Sequence, residues 1–399
     1  MSSRRGFLQK CGVGGGAFVL GSMLTACGGG GDSGTASAGQ PLGVNDASRP
    51  AGNGNPGSGG QALPASGWTM RDEGEPHKAT WMAFVASDAI WEGWQIVPVQ
   101  DALARIANAI VQFEPVNMLV NQRDLAIARQ KLDPRVKLLV AGLDDLWIRD
   151  TGPVFVMHQN GEKAGVNFNF NGWGKKQIYA NDSKVAGFVT QQAGVRMLPA
   201  RLVLEGGGIE VDGKGTAIIT ESCVLNPNRN PGLSKADCEA ELNALLGIRK
   251  VIWLPGIAGK DITDGHTDFY ARFARPGLVV AGFDPDPASY DNAVTARHLQ
   301  ILRAATDANG QPLQVVTIEA PGRIRPEFSS KTFAPGYINF YLVNGALIMP
   351  EFGDAAADAN AKARYMELFP GRAIVQLNID PIAAGGGGIH CTTQQEPLA

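Results

Sequence analysis

Apolar positions along this chain follow two alternating rhythms. Pairs of short runs rich in β-branched and aromatic residues flank tight-turn signals. Each pair is followed by a stretch with helical spacing and then by one more short apolar run. The turn signals are Asn160-Gly161, Asp212-Gly213-Lys214-Gly215, Arg275-Pro276-Gly277 and Asn344-Gly345, which is hairpin chemistry. Helical spacing marks 99–113, where Leu103, Ile106, Ala107 and Ile110 share a face, and then 183–193, 234–246, 293–306 and 355–369. Ser234, with Asp237 three residues on, reads as a capping box. Strands are expected after the helices, at 116–120, 195–198, 250–254, 313–318 and 373–377. Turns recur at about 50 to 70 residues, the length of one supersecondary unit. Five ββαβ-like units predict an α/β domain, closed like a propeller around a central channel.

The pattern begins only near Trp68. Residues 1–26 hold no acidic residue, and Ser3-Arg4-Arg5-Gly6-Phe7-Leu8-Gln9-Lys10 matches a twin-arginine export signal. The apolar run from Val13 to Leu24 is shorter than a membrane span needs. It ends in Leu24-Thr25-Ala26-Cys27, which resembles a lipobox. Cleavage before Cys27 and lipidation of its thiol are expected, with the protein exported and lipid-anchored on the periplasmic side of the cell envelope. Gly28 and Gly29 after that cysteine favour the outer membrane. Residues 27–67 are dominated by Gly, Ser, Ala, Pro and Asn. They cannot bury enough surface to fold, and read as a tether. Residues 68–399 contain no second linker and read as one domain.

Charge narrows the partners. The whole chain carries −3; without Arg4, Arg5 and Lys10, its basic residues fall from 35 to 32 against 38 acidic ones. There is no basic footprint for nucleic acid, and a mildly acidic protein suits a cationic substrate. Setting aside Cys11 and Cys27, three cysteines remain. Cys223 and Cys238 either form a disulfide or stay as reduced buried thiols; in both cases Cys391 is unpaired. The sequence has no CxxC, no HExxH and no close histidine pair, so no metal site is expected.

Cys391 follows Gly385-Gly386-Gly387-Gly388-Ile389-His390. Four consecutive glycines give up backbone entropy for no packing gain, so the backbone must come close to something there. The thiol is a nucleophile, a metal ligand or a small buried hydrophobe. Its candidate partners open the hairpin units: Asp150 the first, Glu205 the next, His266 and Asp268 the third, Asn339 the fourth. Their common phase would bring them to one centre in a closed ring. A thiol, an imidazole and three carboxylates suit a guanidinium, a planar cation matched bidentately by carboxylates. Asp150 and Asp268 would grip it, Cys391 would attack its central carbon and expel ammonia, and His266 would act as acid and base. Glu205 would orient His266 or hold a guanidinium nitrogen. Other classes fit parts of the set: an amidinotransferase, a non-catalytic guanidino-binding lipoprotein, or a thiol protease.

From Trp68 onward the motifs resemble the agmatine deiminase and bacterial, Porphyromonas-type peptidylarginine deiminase family of the guanidino-group-modifying superfamily. They are Glu75-Pro76-His77-x-x-Thr80-Trp81-Met82, Trp147 to Pro153, Asn169-x-x-x-Trp173-Gly174, Leu204-Glu205-Gly206-Gly207-Gly208, Asn226-Pro227-Asn228-Arg229-Asn230-Pro231, Asp264-Gly265-His266-x-Asp268, and Gly385 to Gln395. The resemblance implies a five-bladed ββαβ propeller (the pentein fold) and a deiminase catalytic domain over 68–399, without metal or organic cofactor. It implies Cys391 as nucleophile, His266 as general acid/base, Asp150 and Asp268 as guanidinium carboxylates, and Glu205 as the remaining active-site carboxylate. Trp147, Trp173 and Asn339 are expected at the substrate. The substrate so implied is agmatine, giving N-carbamoylputrescine and ammonia; the export signals raise peptidyl-arginine as the alternative.

Overall fold

The tight turns seen in the sequence join antiparallel strands, while each parallel neighbour needs a crossover, which a helix supplies. A computed structural model describes residues 66–399; the expected leader, the lipidation site Cys27 and nearly all of the tether lie outside them. Five separate mixed sheets carry this plan. The second orders Trp68–Thr69, Val154–His158, Lys163–Asn167 and Arg196–Pro199, with helix Val185–Ala193 before its last strand. The third pairs Ile209–Val211 with Thr216–Thr220 and, in parallel, Lys250–Leu254. The fourth and fifth repeat this with Ala271–Arg275, Leu278–Phe283 and Gln314–Glu319, then Tyr341–Val343, Ala346–Glu351 and Ala373–Asn378.

The first sheet is completed differently. His77–Phe84, Val116–Val120 and Lys137–Val140 run parallel, and their antiparallel partner is Gln394–Pro397 from the far end of the domain. Trp81 faces Gln394 in that register. No sheet closes on itself among the described residues; a closed single sheet is not what forms the domain.

Helix limits follow local chemistry. Lys235–Leu246 is bounded as expected: Asp237 N donates to Ser234 Oγ at 3.1 Å and Ser234 N to Asp237 Oδ2 at 3.2 Å. It stops at Gly247, whose φ of 71° suits glycine. Gly93–Ile110 begins six residues before the expected start at Val99. Its first turns expose Trp94 and Val97, 59% and 57%, so their apolar character carries no periodic signal.

The third sheet is buried on both faces. Ile219 packs with Val166 and Leu242, while its neighbour Ile218 packs with Val279 and Leu302 on the other side. Strand alternation makes that division, and it explains the unbroken apolar run in Thr216–Thr220. No described helix is long and apolar enough to cross a membrane.

Candidate active site

Each sheet receives its first strand through a short turn, and those turns carry the chemistry. Asp150 lies in Ile148–Thr151, just ahead of Val154–His158. Glu205 precedes the turn Gly206–Gly208, and His266 precedes Thr267–Phe269, which contains Asp268. Asn339 comes two residues before Tyr341–Val343. His390 and Cys391 occupy His390–Thr392, ahead of the strand that completes the first sheet. The structure brings all of these candidates together.

Gly207 marks the centre. A Cβ built there would lie 2.7 Å from His266 Nδ1, 2.9 Å from Asp150 Oδ1 and 3.2 Å from Asp268 Oδ2. Only a residue without a side chain lets those three groups converge there. Asp150 is fixed on both oxygens: Gly207 N donates to Oδ1 at 3.0 Å and Trp173 Nε1 to Oδ2 at 2.9 Å. Trp173 holds φ at 54°, an unusual conformation for a bulky residue. Its indole bond to Asp150 is the interaction that this backbone serves.

The thiol sits on the opposite carboxylate. Cys391 Sγ is 3.4 Å from Asp268 Oδ2, and Asn339 Nδ2 donates to the sulfur at 3.3 Å. Asn339 Oδ1 accepts from Cys391 N at 3.3 Å. Asn339, expected at the substrate, is thus spent on the nucleophile. Asp268 Oδ2 also lies 2.8 Å from His390 Nδ1, whereas the buried Oδ1 has no hydrogen-bond partner.

Glu205 resolves toward one of its two expected parts. Arg229 Nε donates to both its oxygens, at 2.8 and 3.0 Å, and His266 Nε2 is 3.3 Å from Oε2. Both oxygens of Glu205 are thus engaged, and one of them lies against the His266 imidazole. Arg229 in turn donates to Asp264 Oδ2 at 2.9 Å and to Thr263 O at 2.9 Å. Cys223 also reaches this cluster, its sulfur 3.6 Å from Glu205 Oε2. Glu205, Cys223 and His266 place potential ligand atoms within 4.8 Å of one another. Arg229 already neutralises Glu205, so the trio fits a hydrogen-bonded cluster better than a cation cage. Cys223 and Cys238 are separate buried thiols rather than a disulfide.

Electrostatics divide the groups. Burial, reinforced by the charges of Asp268 and Asp150, pushes the Cys391 thiol well above its ordinary range. Burial also lifts Asp150 to about 6. At Glu205 the burial penalty is outweighed by Arg229, which brings the carboxyl down to about 2. Burial opposes protonation of His266, but the negative charge of Asp150 and the bond to Glu205 raise it well above the usual histidine value. Asp268 stays below the usual carboxylate range, because its bond with His390 outweighs burial. The unliganded site therefore presents a protonated thiol between carboxylates and waits for positive charge.

The glycine stretch makes the close approach expected of it. A Cβ on Gly385 or Gly387 would drive into the indoles of Trp91 and Trp147, and one on Gly388 into Asn339. These glycines seat the backbone on aromatic rings, and the backbone of Gly388 also reaches the Cys391 thiol. Trp147 donates Nε1 to Asp145 Oδ2 at 2.8 Å and stacks on Trp91, so its ring walls the glycine stretch, while its carbonyl accepts from Asp150 N at 3.0 Å. Sequence reading missed Arg229, whose only signal was its place in Asn226 to Pro231. It also missed the buried ions Glu73 and Arg272, which lie in no quoted motif, and Arg149, which lies within Trp147 to Pro153.

A cysteine on the flank of Asp268, with His266 and Asp150 converging beside it and five mixed sheets carrying the set, marks a hydrolase of guanidino carbon–nitrogen bonds. The chain belongs to the Porphyromonas-type peptidyl-arginine deiminase family, whose profile matches residues 69–397. It is 37% identical to the agmatine deiminase of Pseudomonas fluorescens strain SBW25, over 84% of this chain and 96% of that one. Its identity to the agmatine deiminase of Stutzerimonas stutzeri is 38%, over 83% and 96%. The solved structure of the Enterococcus faecalis agmatine deiminase superposes with a TM-score of 0.77 at 34% identity, over 83% of this chain and 96% of that one.

Proposed function

We propose that the protein hydrolyses agmatine to N-carbamoylputrescine and ammonia. The observation that carries this reading is the convergence of His266, Asp150 and Asp268 on Gly207, with Cys391 on the flank of Asp268. A guanidinium held by this set would pair with Asp150 and Asp268, whose Oδ1 has no partner of its own. Its positive charge offsets the two carboxylates that hold the thiol protonated, so Cys391 gives its proton to solvent as substrate binds, and regains one when the thiolate is released. The thiolate adds to the guanidinium carbon. His266 gives a proton to the departing nitrogen, the carbon–nitrogen bond breaks, and ammonia leaves a covalent thiouronium. Water then loses a proton to His266 and adds to the same carbon; the carbon–sulfur bond breaks, giving the urea product and the thiol.

Two wider readings accompany this. The five sheets are blades of one ββαβ propeller around the reacting centre, supported by the common position of Cys391, Asp150, Glu205, His266 and Asn339 ahead of their first strands. The protein is exported by the twin-arginine route and lipid-anchored through Cys27, supported by Ser3 to Lys10 and Leu24 to Cys27. That address favours peptidyl-arginine as a second substrate class. Ammonia release from agmatine, arginine and an arginine peptide, measured in parallel, tests the assignment. Agmatine is expected to turn over fastest; preference for the peptide would transfer the protein to citrullination, and no release from any would overturn the enzymatic reading.

A further inference from the structure

One buried ionic cluster takes no part in the steps above. Glu73 lies ahead of His77–Phe84, is buried, and gathers groups from four other stretches. Arg149 Nη2 donates at 3.1 Å, Arg272 Nη2 at 2.8 Å and Leu342 N at 2.9 Å, while His390 Nε2 lies 3.0 Å from Oε2. Arg149 also donates Nε to His390 O at 3.3 Å and Nη1 to Gln395 Oε1 at 2.7 Å. The backbone and the ring of His390 are therefore both clamped.

The other ring nitrogen of His390 holds Asp268 Oδ2 at 2.8 Å. A carboxyl group left to itself rotates, and its two oxygens exchange. Here the imidazole fixes one oxygen, and the other is left buried without a partner. A buried acceptor of this kind is costly unless something completes it.

We propose that His390, clamped on Glu73, is a positioning residue for the substrate: by holding Oδ2 of Asp268 it fixes the carboxylate that meets the incoming guanidinium. The inference rests on the deiminase reading of the site. It separates two tasks within one short turn, since His390 sets the carboxylate while its neighbour Cys391 performs the attack.

Two substitutions distinguish this from simple packing. The amide nitrogen of an asparagine falls near the place of Nδ1, so His390→Asn keeps a donor toward Asp268. A glutamine places its amide near Nε2, so His390→Gln keeps the partner of Glu73 and loses that of Asp268. Both are made in a Cys391→Ala background, and agmatine binding is measured by calorimetry beside thermal melting. His390→Gln is expected to weaken binding about tenfold or more, the loss of a hydrogen bond to a charged group, while His390→Asn stays within about threefold. Equal effects, or none, would overturn the proposal. If His390→Gln does not fold, His390→Asn decides alone, and a loss beyond about tenfold overturns it. Agmatine binding without turnover by the protein bearing Cys391 would sink the enzymatic reading and leave this inference standing. No binding by the Cys391→Ala protein would remove the inference itself.

Discussion

Gly207→Ala adds one methyl group at the point where three active-site residues converge. Ordinary contact begins at 3.4 Å, so the methyl would be too close to His266 Nδ1 by about 0.7 Å, to Asp150 Oδ1 by about 0.5 Å and to Asp268 Oδ2 by about 0.2 Å. None of these groups retreats freely: Trp173 and Gly207 itself hold Asp150, Glu205 faces His266, and His390 holds Asp268. Overpacking of this kind costs about 1–3 kcal/mol of stability. Its effect on turnover is larger, since a displacement approaching 1 Å in a reacting geometry costs about a hundredfold. The expected result is a folded protein with kcat/KM for agmatine down about a hundredfold, followed by ammonia release and checked against a thermal melt. Gly93→Ala is the control, because a Cβ there meets nothing within 4 Å. If Gly207→Ala kept kcat/KM within about threefold while folded, the substrate would not lie where the Gly207 geometry puts it.

Two further outcomes are expected. Burial first, then the charges of Glu210 and Glu73, raise Asp72 from 3.8 to about 8. A carboxyl raised in the folded state stabilises fully below its unfolded value, and that contribution is lost as pH climbs through about 8. Asp72→Asn keeps the acceptor for Gly74 N and should flatten the fall in Tm between pH 5 and 9; an unchanged slope would refute the assignment. In a bacterial host the full chain should partition with membranes and Cys27→Ala should release it; equal partitioning of the two would remove the lipid anchor.

Much of this architecture was legible because the chain repeats its instructions. Turn glycines, a Ser-Asp cap and apolar runs after each helix placed four of the strand-final segments within a residue or so of where they lie, and the shared phase of Asp150, Glu205, His266 and Asn339 survived into three dimensions. The failures have physical causes. Trp94 and Val97 face outward, so the first helix began before its apolar pattern did. Arg229 and Glu73 act through burial and long-range pairing, and neither property leaves a local mark. The glycines before Cys391 announced a close approach correctly, but sequence alone could not name Trp91 and Trp147 as the surfaces approached. Asn339 lies at the centre, as its phase implied, and its bonds to the thiol and the amide of Cys391 are a contact that the sequence did not name.

The strand that completes the first sheet also governs when the protein becomes reactive. Trp81 and Glu396, joined by a 3.0 Å bond from the indole across that pair of strands, are 315 residues apart in sequence. Contacts so distant form late and slowly. Cys391 precedes this strand by three residues, so it meets Asp268 and Asn339 only once the sheet has been zipped shut. Pairing of the two ends of the domain and assembly of the nucleophile's surroundings are therefore one event.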